Sequence, residues 1–570
     1  RGDTWQPVSP NLTRNIDRNQ LEVMGKIWSV DTVAKNASTS AFGNIVSLTE
    51  SPLVEGLIYA GTDDGLIQVT EDGGANWRKI DAFPGVPDMA YVSDLEASLH
   101  DADTVYATID NHKSGDFKPY VLKSTNRGST WTSIASNLPD RGSAYTIVQD
   151  FEKADLLFVG TEFGVFASLD GGAEWHQMKN GMPTIAVRDL VIQEREVDLV
   201  VGTFGRGIFI LDDYTPLRYL DDDTLAAEAA LLPTRDTWMF MKSYELGYNR
   251  KAFMGDAFYS AANPPVGAVL TYHLRDGFKT LRDQRREAEK ETEEGGGAIG
   301  YPTWEELRAE DRAEDPVIVL TIKDASGNLV RRITGPTGKG IQRVTWDLRY
   351  PPSDPISLQP PPTHAFSDDP MGPMVMPGTY TATLAKWENN QLTELSGPVS
   401  FNTKLTGTAT LPAGDRTAVL AFQQEANRLM RAVAGTSRVM GEIQNRLDHL
   451  LVAAMATPGG NPTWPAQLED LETRLNDLQD QLTGDSTVAR RNEPISPSIR
   501  NRVGRVLGYS LTTTSAPTTT QRRQVEIASQ EFGPVLDDLR SLVSDLEALE
   551  SEMEAAGAPW TPGRIPDWQP

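Results

Sequence analysis

The sequence predicts a multidomain protein, mainly β and then α: part of a β-propeller, a small β-sandwich and a C-terminal antiparallel helical bundle. Three observations carry that reading. A unit of short apolar runs and glycine turns is written three times in full before residue 180. Alternating apolar and polar residues reappear between Ala268 and Phe401, the period of half-buried strands. From Asp415 the apolar spacing changes to steps of three and four, the period of helices that pack along a seam.

The repeat is clearest in Leu157–Trp175, LFVGTEFGVFASLDGGAEW. It recurs as Leu57–Trp77, more loosely as Val105–Trp131, and truncated as Leu199–Asp213. An alternating segment precedes each copy: Ile45–Leu48, Tyr91–Leu95, Tyr145–Val148 and Val187–Ile192. Four short strands joined by tight turns make an antiparallel unit. Such a unit cannot bury its faces alone, so copies must stack. The 44 residues from Trp131 to Trp175 match the roughly 40–45 residues of a propeller blade, and the longer earlier steps imply inserted loops.

The turn that closes each unit has a mechanical explanation. In Ser/Thr-x-Asp/Asn-x-Gly-x-x-Trp the side-chain oxygens accept from backbone N–H groups of their own turn. Glycine supplies positive φ, and the indole buries a large area between units. The residues are Thr70, Asp72, Gly74 and Trp77; Ser124, Asn126, Gly128 and Trp131; Ser168, Asp170, Gly172 and Trp175. With each position given a structural task, none is left for catalysis or calcium.

Thr70–Trp77, Ser124–Trp131 and Ser168–Trp175 are similar to the Asp-box (BNR) repeat of sialidases, of some xyloglucan-type glycoside hydrolases and of sortilin/VPS10 propellers. Paired with a GTxxG hairpin, the motif looks most like bacterial sortilin-like exported proteins, often labelled glycosyl hydrolases. The resemblance covers residues 1 to about 215. It implies a propeller in a secreted, periplasmic or cell-surface protein, its signal peptide outside this chain. Sortilin's cysteine-rich module has no counterpart, so receptor-type ligand binding is not implied.

Both ends of the repeat region predict missing neighbours. Arg1-Gly2-Asp3-Thr4-Trp5 reads as the second half of a repeat turn, which predicts an orphan strand at Trp5 and earlier blades upstream. After Ile208–Leu211 the chain gives Asp212-Asp213-Tyr214 and no closing turn, so the last blade is expected to take its fourth strand from elsewhere. Three full units and a partial one cannot close a ring.

The expected divisions are blades over 1–216, a sandwich over 217–405, a bundle over 412–556 and a Pro/Trp tail over 557–570. Asp221-Asp222-Asp223 reads as a helix start, with a short helix at Leu225–Leu232. The segments Ala268–Leu274, Val317–Ile322, Leu329–Ile333, Arg343–Leu348, Gly378–Leu384 and Pro398–Phe401 supply the sandwich strands. Its TWDLRY and PGTY pieces resemble an Ig-like module of flagellar-hook-capping and secreted bacterial proteins, which implies an adhesive or spacer role. A charged insertion at 279–311 contains a helical stretch without an apolar face and a capping-box spacing at Thr303–Glu306. Pro360-Pro361-Pro362 suits a stiff extended loop. In the bundle, apolar seams run from Phe422 to Ala454, from Leu468 to Leu482 and from Val525 to Met553, with a shorter helix at Ile499–Leu507. The Trp560…Trp568 tail is expected to pack onto a neighbouring domain.

Composition removes whole classes of function. A net charge of −26 argues against nucleic acid and against anionic membrane surfaces. The absence of cysteine removes disulfides, thiolate nucleophiles and Cys-ligated metals together. No apolar run approaches the roughly 20 residues of a membrane span. The six histidines form no HExxH, and GxSxG and P-loop motifs are missing, so neither a metal nor a cofactor is expected. Asp212-Asp213 reads as a solvated turn rather than a calcium site.

Glycoside hydrolysis needs two carboxylates across a cleft. The candidates in the repeat turns are Asp63, Asp64 and Glu162. A sialidase also needs an arginine cluster and a Tyr–Glu pair, and Arg188 and Arg206 are the arginines in suitable repeat positions. The preferred reading is an exported, non-enzymatic interaction or scaffold protein that binds a protein or glycan through its propeller. The alternatives are a sialidase- or xyloglucanase-like hydrolase with its carboxylates on missing blades, and a structural subunit of a larger extracellular assembly.

Overall fold

The computed structural model describes residues 3–37, 41–242, 261–359, 370–566 and 568. Arg1, Gly2, His364 and Pro360-Pro361-Pro362 lie outside the described residues. The chain divides into two compact units, Arg1–Ala227 and Glu228–Pro570.

The first unit contains four antiparallel sheets, each with its strands in chain order. Sheet 1 holds β1 (Ile45–Glu50), β2 (Ile58–Thr62), β3 (Ile67–Thr70) and β4 (Arg78–Ile80). Sheet 2 holds β5 (Tyr91–Ala97), β6 (Val105–Asp110), β7 (Tyr120–Ser124) and β8 (Thr132–Ser133). Sheet 3 holds β9 (Ala144–Gln149), β10 (Leu157–Thr161), β11 (Gly164–Ser168) and β12 (His176–Met178). Sheet 4 has three strands, β13 (Val187–Gln193), β14 (Asp198–Thr203) and β15 (Ile208–Leu211).

First strands pack against first strands, β1 on β5, β5 on β9 and β9 on β13, so the sheets fan out from an inner row. The apolar core lies between sheet faces: Tyr59, Val69, Val92 and Leu95 between sheets 1 and 2, Tyr106, Ile147 and Val159 between 2 and 3, Phe158, Val165, Leu190 and Leu199 between 3 and 4. Alternation of side chains lets one strand feed two cores at once, which is why β6 and β10 are buried along their whole length.

Each inner strand carries a bulge at the same place. The unpaired extra residues are Val46, Ser93, Tyr145 and Arg188. A bulge bends the strand and re-aims a side chain. Next to it, on β2 and β10, stand Gly61 and Gly160. A Cβ on Gly61 would lie 2.5 Å from Val92 of the next sheet, and one on Gly160 would lie 2.7 Å from Val187. These glycines let neighbouring sheets touch.

The orphan strand expected at Trp5 does not form. Among residues 3–37 only the isolated Val23–Lys26 bridge is β-paired, and Trp5 is exposed. Residues 8–14 instead run along β3: the Trp77 indole donates to the Val8 carbonyl at 3.4 Å, Gln68 donates to the Leu12 carbonyl at 2.8 Å, and the Arg14 N–H donates to Asp64 at 2.7 Å. Burial of Leu12 against the sheet outweighs the turn-like sequence before it.

The first unit ends, and the second begins, differently from the expectation. The short helix expected at Leu225–Leu232 is α1 (Asp222–Ala226), capped by Asp221, and Ala229–Leu231 is a strand, β16. Pairing with β18 (Ala268–Leu274) wins because Ala229 and Leu231 are then buried. β16, β18 and β21 (Gly340–Trp346) form one sheet. β17 (Thr237–Met239), β23 (Gln391–Leu405), β22 (Gly378–Glu388), β19 (Val317–Asp324) and β20 (Leu329–Gly335) form the other, in that order. They share a core centred on Trp346, whose ring meets Tyr380 edge-on at 5.2 Å. The insertion folds as α2 (Leu281–Glu294) and α3 (Trp304–Arg312), with no buried residue, joined by Arg285–Glu310 and Arg282–Asp311 pairs; Thr303 and Glu306 form the capping box.

The last four long helices share one core. α4 (Arg416–Ala456) and α8 (Thr519–Ala555) run the same way, since Arg522 lies over the Phe422 ring near their starts and Arg446 pairs with Glu550 near their ends. α5 (Trp464–Thr483) and α7 (Ile499–Ser510) run back between them, separated by the single turn α6 (Ser486–Ala489). The tail does not bury its indoles: Trp560 and Trp568 are exposed, and the segment is held to α8 through Arg564 and Glu554.

Candidate functional site

Turns of the GTxxG type lie at the same end of the fan as the entry to each inner strand. Asp63, in the β2–β3 turn, accepts from the N–H groups of Gly43 (3.0 Å) and Asn44 (2.8 Å), which lead into β1. Asp64 is buried; it accepts from the Thr62 hydroxyl at 2.6 Å and from Arg14. Both carboxylates therefore hold the turn and the segment before β1. A depression of about 260 Å³ beside them is lined by Gly65, Phe83, Val86 and Ala90, with Asp81 and Asp88 tied to Lys79 and Arg14.

The same end of sheets 2 to 4 brings a different set together. The Tyr145 hydroxyl donates to Glu162 in the β10–β11 turn. Arg188 lies with its guanidinium 3.7 Å from the centre of the Tyr145 ring and 5.4 Å from that of Phe204. His112 meets the Tyr145 ring edge-on at 6.3 Å, and its Nδ1 pairs with Asp110. Tyr145 and Arg188 are the bulged residues of successive inner strands, so one backbone irregularity aims both at this spot.

Burial raises the Tyr145 phenol above its ordinary value, the hydrogen bond to Glu162 adds to this, and Arg188 works against it. The phenol is therefore a donor at neutral pH. Asp110 is buried and receives both the backbone N–H and the ring nitrogen of His112. What this surface offers to solvent is the Arg188 guanidinium with Phe163 and Phe204, all exposed. Such a surface suits stacking and carboxylate or hydroxyl recognition.

Of the five candidate residues, the fold brings Glu162 and Arg188 together through Tyr145. Asp63 and Asp64 belong to the turn of sheet 1, and Arg206 is exposed in the β14–β15 turn. Sequence reasoning missed Tyr145, His112 and Asp110. Bulges leave no mark on apolar alternation, although Tyr145 and Arg188 both sit just before a strand's regular period.

At the opposite end of the sheets, the Ser/Thr-x-Asp/Asn-x-Gly-x-x-Trp turns are built alike. Gly74, Gly128 and Gly172 each donate their N–H to the hydroxyl that opens the turn, at 2.9, 2.9 and 2.8 Å. Asp72 accepts from Asn76, Asn126 from Thr130, and Asp170 from Ala173 and Glu174. Trp131 and Trp175 are buried between sheets, and the Trp175 indole donates to the Ile134 carbonyl at 2.8 Å. No group of three or more His, Cys, Asp or Glu able to hold a metal occurs among the described residues. No helix among them is long and apolar enough to cross a membrane.

No protein-family model matches the chain. No curated protein matches it in sequence either. Solved structures similar to it include an ancestral GH74 enzyme, with 17% identity, a TM-score of 0.24 and coverage of 28% of this chain and 22% of that one. YCF48 bound to D1 peptide is 14% identical at a TM-score of 0.24, covering 30% of this chain and 51% of that one. The β-propeller domain of Myceliophteria thermophila Cps50 (Swd1) is 16% identical at 0.26, covering 34% and 64%. The chain thus spans less than two thirds of the length of each.

Proposed function

We propose that the chain is a non-enzymatic interaction or scaffold protein of the exported type, its four sheets being blades of a propeller that binds a protein or glycan. The surface for that ligand is the one around Arg188, Phe163, Phe204 and His112. One observation carries this reading: the four carboxylates described at that end, Asp63, Asp64, Asp110 and Glu162, each have a partner. Asp63, Asp64 and Asp110 hold backbone N–H groups, and Glu162 receives the Tyr145 hydroxyl. Arg188 adds a cation and Phe163 and Phe204 add aromatic faces, all exposed. Titrating a panel of sialylated and plant glycans and acidic peptides into the intact chain tests it. Arg188→Ala and Phe204→Ala should each weaken binding at least tenfold, about 1.4 kcal/mol, and unaltered affinity in both would remove the site.

A second reading, a sialidase-like hydrolase, is favoured by the Tyr145–Glu162 hydrogen bond with Arg188 stacked on the same ring. Incubation with the same glycans decides between them. Release of reducing sugar that disappears in Tyr145→Phe would establish the hydrolase and defeat the scaffold reading.

A further inference from the structure

Of the 14 methionines in the sequence, four line one small depression of the second unit: Met239, Met241, Met374 and Met376. Among the described residues 12 line it, and a dozen residues drawn at random from this chain would hold fewer than one methionine. Composition therefore does not account for the gathering. No histidine, aspartate or glutamate lines the depression among the described residues. Its far wall is the start of α4, with Arg416 and Val419.

The methionines stand in pairs on two extended segments. Met239 is buried and Met241 half-buried, while Trp238 and Phe240 between and beside them are exposed. On the other segment Val375 enters the sandwich core, and Met374 and Met376 on either side of it are half-buried. Side chains alternate along extended chain, so each pair shares a face. β23 brings the two segments together. Thr237 and Met239 pair with Thr403 and Leu405 on one side of it, and Gly378 pairs with Thr403 on the other. Carried two residues back, that register sets Met376 level with Leu405, across from Met239. The backbones are held in place: the Thr406 N–H donates to the Met239 carbonyl at 3.3 Å, the Tyr380 hydroxyl to the Met376 carbonyl at 2.6 Å, and the Val375 N–H to the Leu348 carbonyl at 2.9 Å.

Methionine is a common filler of gaps in cores. A filler buries its thioether, however, and three of these four stay half-buried around an opening. That opening measures about 40 Å³, close to the share of one water molecule in the liquid, about 30 Å³. It admits a single ion and is far too small for an organic ligand. Thioether sulfur is a weak hydrogen-bond acceptor but a good ligand for soft ions. Harder ions such as Zn(II), Ca(II) and Mg(II) call for imidazole or carboxylate, which the lining lacks.

We propose that the depression binds one soft monovalent ion, Cu(I) or its analogue Ag(I), through the thioethers of Met239, Met241, Met374 and Met376. These ligands are neutral, so the bound ion keeps its charge, and the Arg416 cation at the edge opposes it. The site lies in the second unit and does not depend on the ligand surface at Arg188.

Calorimetric titration of the intact chain with silver nitrate in chloride-free buffer tests this. One Ag(I) should bind per chain, and Cu(I) under anaerobic conditions should displace it. Displacement by Zn(II) would indicate oxygen or nitrogen ligands and overturn the proposal. Met239→Leu and Met376→Leu keep the volume and remove the sulfur; each should weaken binding at least tenfold, about 1.4 kcal/mol, with an unaltered circular dichroism spectrum. Arg416→Gln should tighten it, and weaker binding in that variant would make the arginine the holder of an anion instead. Spectra of the wild type with methyl-labelled methionine give a reading that needs no variant to fold: one equivalent of Ag(I) should move four methyl resonances and leave the others in place. No saturable binding, unaltered affinity in both leucine variants, or resonances that all move alike would each overturn the site.

Discussion

Asp150 shows how far one residue's bonding can reach. It is fully buried and bonds Arg218 through Nε at 3.0 Å and Nη2 at 2.8 Å, the Tyr214 hydroxyl at 2.7 Å and the Lys153 N–H at 2.6 Å. Burial alone would raise its carboxyl, but Arg218 and Tyr214 bring it below the ordinary value. Arg218→Met should destabilise the first unit by about 3–5 kcal/mol, because a buried charge is left without its partner; calorimetry checks this. Glu96 is the reverse case: burial, reinforced by Asp94, pushes its carboxyl up to about 8. The unfolded carboxyl ionises near its ordinary 4.5, so stability is lost as pH rises from there to about 8 and is constant beyond. Glu96→Gln should match the wild type at pH 4 and exceed it at pH 8.5 by about 1–3 kcal/mol; equal melting at both would refute the shift. Neither residue was legible beforehand. Asp150 and Arg218 are 68 positions apart, and a strand's alternation does not say which acid the next sheet will cover.

Among the elements, legibility follows how local the cause is. The Ser168–Trp175 turn closes largely on itself: the Ser168 hydroxyl takes the Gly172 N–H, and Asp170 takes two more N–H groups and the Ser168 hydroxyl at 2.7 Å. Spacing alone can therefore suggest it. The capping box at Thr303 and the seams of α4, α5 and α8 are equally local. What could not be read were choices made by distant partners. Ala229–Leu231 is a strand because β18 lies beside it, and residues 8–14 follow β3 because Leu12 finds cover there. Asp170→Ala should cost about 1–2 kcal/mol, the loss of acceptors for two N–H groups at a half-exposed turn. Thermal melting gives the size, and faster amide exchange at Ala173 and Glu174 alone gives the place. A loss spread over sheets 2 and 3 would mean that the turn sets the position of Trp175 as well.

On the scale of the whole second unit, the sandwich and the bundle are joined by a buried arginine. Arg349 follows Trp346 at the end of β21; its Nη1 donates to the Gly372 carbonyl at 2.9 Å and its Nη2 to the Leu511 carbonyl at 3.1 Å, at the end of α7. Its own carbonyl receives the Trp346 indole at 3.0 Å. Gln423 of α4 donates to the Ser510 carbonyl at 2.6 Å, and Asn427 donates to the Pro351 carbonyl at 3.3 Å, so the end of α7, α4 and the sandwich loop form one polar junction. A junction of this kind makes two apolar cores unfold together, since opening either breaks the hydrogen bonds to the Leu511, Ser510 and Pro351 carbonyls. Arg349→Met keeps much of the side chain's volume and removes both donors. The cost should be about 2–4 kcal/mol, two charge-assisted bonds lost with their acceptors left buried. The more telling outcome is cooperativity. In the wild type, α7 and β21 should exchange their amides with one opening energy; in Arg349→Met, the end of α7 near Leu511 should open at lower energy while β21 stays protected. If both regions lose protection equally, the arginine stabilises the unit without coupling its halves, and the two cores are held together by packing of residues such as Met371 against the bundle.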